Sequence, residues 1–266
     1  MLEDIAIYFS IGIVAGIIAG MLGIGSGVIV VPALVFVFSR EHFTPNIIMH
    51  IAAGTSLATI AVTTSRALIG HLKRKVPVWP IYKRIFLGVI LGTISGAVLA
   101  HFLHSHTLSI IFGIVLALLG LKMFFPSTKE SGRTLPGTLG CSSVGFLIGG
   151  KSGLLGLGGG ALSTPFFTHY GVPIRQSFAV ATAVSVTVSV VGAISFIITG
   201  MYADQLPNWS TGYIYWPAWV GIIAGSLSSV PLGVWLSHRL PVALLRRVFA
   251  ALLMLLGLHM LYVIWG

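Results

Sequence analysis

Two glycine clusters carry the strongest chemical signal in the sequence. One reads Gly23-Ile-Gly25-Ser26-Gly27 and the other Gly156-Leu-Gly158-Gly159-Gly160; each is followed five residues later by a proline, Pro32 and Pro165. Both lie inside long apolar runs. Glycine adopts backbone angles that other residues avoid. In lipid, a broken backbone is tolerated only where protein or a water-filled cavity covers it. A helix that restarts after such a break aims free N–H groups into the gap, which makes an anion site. The backbone around Gly25, Ser26 and Gly27, and around Gly158, Gly159 and Gly160, is therefore a candidate substrate contact. Small residues also serve plain helix packing in membranes, but two matched clusters within over-long segments favour the binding reading. Neither is a nucleotide loop, since no Lys-Ser/Thr follows and no strand precedes.

Side chains that suit the same chemistry lie nearby in the pattern. Thr55-Ser56 and Thr182 occupy matched positions in two further apolar runs. Their hydroxyls can donate to an anion without the desolvation cost of a buried charge, although helical Thr and Ser also bond their own turn. Lys151 falls inside the run 138–170, just before the second glycine cluster. An intramembrane charge defaults to a functional role, here selection of an anion, with snorkelling to an interface as the alternative. His50 is a candidate coupling residue because imidazole titrates near neutral pH; a hydrogen-bonded structural histidine is the plainer reading. Arg66 and Arg175, near segment edges, are candidates for gating or a second charge, against a role in topology alone. His101, His104 and His106 lack the cysteine or carboxylate partners of a metal site, so neither metal nor cofactor is expected. The five acids, Glu3, Asp4, Glu41, Glu130 and Asp204, avoid the middles of the apolar runs. Cation transporters usually place a carboxylate there, so the set suits an anion. No nucleophile–base spacing or carboxylate pair suggests an enzyme, and no catalytic residue is assigned.

The composition sets what must position these residues. The chain has 266 residues, 56% hydrophobic and 8% charged, where soluble domains carry about 25% charged residues. That excludes a water-soluble globular fold and points to an all-α polytopic membrane protein. Apolar runs this long also exclude a membrane barrel, whose strands alternate over about ten residues. The net charge of +10, from 15 basic and 5 acidic residues, would suggest nucleic acid in a soluble protein. Here the basic residues lie between apolar runs and mark cytoplasmic loops, so no nucleic-acid partner is expected. The single Cys141 excludes an intrachain disulfide. The acidic N-terminus differs from a secretory signal, so the first apolar run is expected to be retained.

Eight apolar segments cover roughly 5–38, 44–70, 80–103, 107–125, 138–170, 176–200, 213–236 and 241–265, with a polar stretch at 126–137. The halves repeat: Gly20 matches Gly153 and Pro32 matches Pro165, both 133 residues on. Ala53–Ser56 matches Val180–Ala183, Trp79 matches Trp209, and Leu119-Gly120-Leu121 matches Leu256-Gly257-Leu258. This predicts a first transmembrane repeat at 1–125, a cytoplasmic linker at 126–137 and a second repeat at 138–266. Lys73, Arg74 and Lys75 follow segment 2, whereas the loop after segment 6 has Asp204 and no base. Only histidines separate segments 3 and 4, whereas Arg239, Arg246 and Arg247 lie around the equivalent loop. Equivalent loops of opposite bias face opposite sides, so the repeats are predicted to be inverted, as in many secondary transporters. Inversion needs an odd number of crossings per half. Segments 1 and 5, roughly 33 residues or about 50 Å as helix, exceed the ~30 Å hydrocarbon thickness. They are predicted to be re-entrant hairpins of two half-helices, with one long kinked helix each as the alternative. Three spanning helices per half then place both termini outside and the linker inside.

On these motifs the chain resembles the TauE/SafE family of membrane proteins, associated with export of sulfite and organosulfonates. The carriers are the twinned glycine motifs with their prolines and the runs at 53–56 and 181–183, together with the length and two-half layout. The resemblance implies export of a small sulfur-containing anion, sulfite or a short organosulfonate such as sulfoacetate, across the bacterial cytoplasmic membrane. It also differs from the family pattern: Thr182 is followed by Ala183 where Thr-Ser is frequent, and Gly70 by His71 where an acid is frequent. Two other activities fit the same residues at this point, an anion channel using the same site and a membrane scaffold for an enzyme partner. Proton coupling would need His50, Lys151 or the substrate's own proton.

Overall fold

Both over-long segments break where their glycines cluster. A computed structural model describes residues 2–22, 26–124, 135–239 and 242–265. The first segment forms α1 (Leu2–Leu22) and α2 (Gly27–Arg40), and the fifth forms α6 (Thr138–Leu155) and α7 (Gly160–His169). The other helices are α3 (Ile48–Lys73), α4 (Trp79–Phe102), α5 (Ser105–Phe124), α8 (Ile174–Gly200), α9 (Trp216–Arg239) and α10 (Val242–Trp265). A two-residue pairing of β1 (Ser210–Thr211) with β2 (Ile214–Tyr215) is the one departure from an all-helical fold among the described residues. Residues 4–21 of α1 and helices α3, α4, α5 and α8 are long and apolar enough to cross a membrane.

The breaks do not fall midway, as equal half-helices would require. α1 has 21 residues against 14 in α2, and α6 has 18 against 10 in α7. Isolated glycines such as Gly20 and Gly153 stay helical. α6 ends only at Gly156, whose φ of 72° is left-handed, a backbone state that suits glycine and terminates helices. The N–H groups of Gly156 and Leu157 both return to the Ser152 carbonyl, at 2.9 and 3.2 Å.

Each broken segment folds back on itself. The Tyr8 hydroxyl near the start of α1 donates to Glu41 Oε1 at the end of α2, at 2.6 Å. The Ser142 hydroxyl at the start of α6 donates to Arg84 O (3.0 Å), and Gln176 Nε2, in the first turn of α8 that follows α7, donates to Pro77 O (2.7 Å). The start of α6 and the residues after α7 therefore share the end of the molecule where α4 begins.

Glycine sets how the long helices pack. α1 lies parallel along α9, and α6 lies parallel along α4. A β-carbon on Gly225 would overlap the Phe9 carbonyl, and one on Gly88 would overlap Ser142 O; Gly233 meets Ile17 O as Gly96 meets Gly150 O. Such close backbone approach is the usual membrane helix interface. α5 packs antiparallel on α10, Gly113 meeting Gly257 and Gly120 meeting Ala250, and α3 packs antiparallel on α8 through Gly54 with Phe196 and Leu57 with Gly192. Trp79-Pro80 opens α4 and Trp216-Pro217 opens α9, whereas Trp209 precedes the strands. Proline in the first helical turn loses no hydrogen bond.

These directions sort the charges. The ends of α3 and α9 and the starts of α4 and α8 gather Lys73, Arg74, Lys75, Lys83, Arg84, Arg175 and Arg239 at one end; Asp4, Glu41 and Asp204, with Arg40, lie at the other.

Candidate functional site

The two glycine breaks meet each other. A β-carbon on Gly27 would lie 2.7 Å from Gly156 O and 3.1 Å from Leu157 O, so only glycine permits this approach. Gly158, with φ 67°, sits against Ile60 of α3, and Gly159 against Val184 and Val188 of α8. The Ser56 hydroxyl donates to Gly156 O at 3.0 Å and ties the second break to α3. Ser26, Gly27, Thr55, Ser56, Gly158, Gly159, Gly160 and Thr182 are all buried. Gly25 lies outside the described residues.

The hydroxyls are used differently. Thr55 accepts the Tyr215 N–H at 3.0 Å, and Thr182 donates to Phe178 O, in its own helix, at 2.8 Å. Ser26, at the start of α2, makes no capping bond, and its hydroxyl is buried without a partner. Ser152, in the last turn of α6, has the same property. The first N–H groups of any helix lack intrahelical acceptors, so α2 and α7 both present donors toward the region where the breaks meet.

His50 is 3% exposed, with Nε2 2.8 Å from Ala100 O. A carbonyl only accepts, so Nε2 carries the hydrogen and Nδ1 keeps a lone pair; Nδ1 is buried with no partner. Lys151 does not join the enclosed residues. Its side chain is exposed on α6, while the next residue, Ser152, turns inward, as a helix rotates about 100° per residue. Arg66 and Arg175 are exposed as well. Among the described residues no cluster of three His, Cys, Asp or Glu side chains could hold a metal.

Sequence reasoning missed two features. Ser152 was legible only as the residue beside Lys151, four before Gly156. The strand pair was legible as Gly212 between short polar and aromatic runs, a tight-turn signal. Tyr213 at its tip and Ile214 in β2 are buried; Tyr213 N–H donates to Phe196 O (3.2 Å) and its hydroxyl lies 3.2 Å from His101 Nδ1. The Tyr213 ring centre is 5.0 Å from that of His50. The hairpin thus reaches Thr55 and His50 together.

Known proteins match along nearly the whole chain. A family described as sulfite exporter TauE/SafE matches residues 8–260. A Haemophilus influenzae protein described as "Probable membrane transporter protein" is 32% identical over 262 residues, covering 98% of this chain and 99% of that relative. "Probable membrane transporter protein YunE" of Bacillus subtilis is 23% identical and covers 95% of each chain. A Methanocaldococcus jannaschii relative, "Probable membrane transporter protein MJ0441", is 26% identical over 94% of this chain and 93% of its own. No solved structure matches. With nearly its whole length inside the family match, the chain belongs to the TauE/SafE family and is a multi-pass membrane transporter rather than an enzyme.

Proposed function

We propose that the protein is a secondary transporter that exports a small sulfur-containing oxyanion, sulfite or a short organosulfonate such as sulfoacetate, across the bacterial cytoplasmic membrane. The observation that carries this is the meeting of the two glycine breaks at an enclosed point between the halves. Backbone N–H groups at Ser26–Gly27 and Gly158–Gly160 face the anion, with Gly25 part of the same stretch. Ser26 and Thr55 have a hydroxyl hydrogen to offer the anion, whereas Ser56 and Thr182, which give theirs to Gly156 O and Phe178 O, line the site and hold its walls. Lys151 acts from the exposed face of α6, where a cation raises the local anion concentration. Arg66 and Arg175 serve the same field at the basic end. The binding set itself is uncharged.

The two halves, 1–125 and 138–266, are read as inverted repeats that rock about the site. Two antiparallel pairs support this: α5 with α10, and α3 with α8. Each pair matches a helix with its own counterpart, and only a two-fold axis across the helices turns such a pair antiparallel. By the positive-inside rule, the basic end faces the cytoplasm, with linker 126–137, and both termini lie outside. The hairpin over Thr55 then closes the outer route. His50, with Nδ1 free to take a proton, is the coupling candidate.

Proteoliposomes loaded with sulfite or sulfoacetate test the reading. Saturable efflux with counterflow is expected. Unsaturable conduction that follows the anion gradient would make the protein a channel, and absence of flux for every anion would remove the transport substrate proposed. In Lys151→Ala, the half-saturating concentration should rise at low ionic strength and approach the parent value at high salt, because screened charges steer little.

A further inference from the structure

We infer that Ser152 is a second hydroxyl ligand of the transported anion, acting opposite Ser26; this rests on reading the two breaks as an oxyanion site. Both side chains are 0% exposed, and neither hydroxyl has a hydrogen-bond partner. Burying a hydroxyl unpaired costs free energy, and helical serines ordinarily avoid the cost by bonding a carbonyl one turn back. This chain does so repeatedly: Ser163 donates to Gly159 O (2.7 Å), Ser189 to Ser185 O (2.6 Å) and Ser109 to Ser105 O (2.9 Å). Ser152, inside α6, forgoes it, and Ser26, the residue before α2, makes no capping bond instead.

Their place is what gives the pair meaning. The Ser152 carbonyl takes both N–H groups that close α6 at the break, and the Ser26 carbonyl takes the N–H groups of Ile29 and Val30 at 3.0 Å. Gly27, next to Ser26, lies against the Gly156 and Leu157 carbonyls, which follow that closure. Each half therefore brings one spare hydroxyl to the residues flanking a single meeting point. The two are not a duplicated packing habit, since the repeat spacing of 133 puts Ala19 opposite Ser152 and Gly159 opposite Ser26. Two spare donors flanking the same meeting point, one from each half and close in sequence to the N-termini of α2 and α7, suit a sulfite or sulfonate head, whose three oxygens can accept from several donors. A carboxylate has one oxygen fewer to offer.

The test pairs thermal shift with liposome flux, using sulfite, sulfoacetate and acetate at matched ionic strength on the full chain. Ser152→Ala should leave the midpoint without anion equal to or above the parent, because an unpaired hydroxyl is gone. Its half-saturating sulfite or sulfoacetate concentration should rise about tenfold, as loss of one such bond predicts. Ser152→Cys, nearly isosteric with a weaker donor, should show an intermediate loss and covers the case in which the alanine variant does not fold. Parent-like half-saturation in both variants would overturn the assignment. So would a lowered midpoint without anion at unchanged affinity, which marks a structural hydroxyl. No response of the parent protein to any anion would overturn the oxyanion site itself, a result distinct from a parent that responds and a Ser152 variant that responds equally.

Discussion

Glu41 shows how one residue at the acidic end senses its surroundings. Burial pushes its carboxyl above the usual carboxylate range; the hydrogen bond from Tyr8 works the other way, and the charge of Asp4 adds to the rise. A carboxyl whose pKa is higher in the folded protein favours folding below its unfolded value and loses that contribution as pH rises through the folded value. Acidification toward the unfolded reference of about 4.3 should therefore raise the unfolding midpoint. The rise should be modest, since the carboxyl is partly solvated and screened. Glu41→Gln should flatten this slope in a thermal-shift series; an unchanged slope would assign it to other groups. At the same scale, the candidate site divides into groups already paired and groups left spare. Ser56 and Thr55 hold Gly156 and the hairpin, whereas Ser26, Ser152 and His50 Nδ1 hold nothing. Sequence pattern identified the hydroxyl positions but not this division, because a hydroxyl's partner depends on which carbonyl the fold brings within about 3 Å.

The helices explain why so many glycines are needed away from the breaks. Gly88 and Gly225 occupy matching places on α4 and α9, and each lets a neighbouring carbonyl approach its Cα. Gly88→Ala and Gly225→Ala should each cost about 1–3 kcal/mol through overpacking. Each should lower the midpoint by several degrees, since roughly 2–4 °C accompanies each kcal/mol at this size. Gly70→Ala is the control: no heavy atom lies within 4 Å of its β-carbon position, and removing an interior helical glycine should be neutral or slightly stabilising. Equal midpoints for all three variants would show that the close approaches contribute nothing. Segment edges were readable to within a few residues because apolar length and loop composition mark them. The glycine clusters also marked where the two long segments break; what they did not give was the unequal length of the helices on either side. α1 consequently reached span length where a half-helix was expected.

For the molecule as a whole, the proposed inversion makes a topological prediction. In a Cys141→Ser background, single cysteines at Asp204 and at Arg74 should differ in whole cells. A membrane-impermeant maleimide should label the first and reach the second only after permeabilisation. Labelling of both from one side would sink the inverted arrangement while leaving family membership untouched. Much of the plan follows from composition and run length: an 8% charged, 56% hydrophobic chain whose apolar runs exceed a barrel strand has to be helical in a membrane. The twinned glycine motifs with their prolines likewise carried the family resemblance, which the match over residues 8–260 bears out. Other properties are non-local, and no window of sequence contains them. Only the tertiary structure brought Gly27 of one half against Gly156 of the other and turned Ser152 inward beside an outward Lys151. It also set the 210–215 hairpin on Thr55. Periodicity determines which residues are apolar and how long a helix can run. Which carbonyl meets which glycine is decided by packing between segments more than a hundred residues apart.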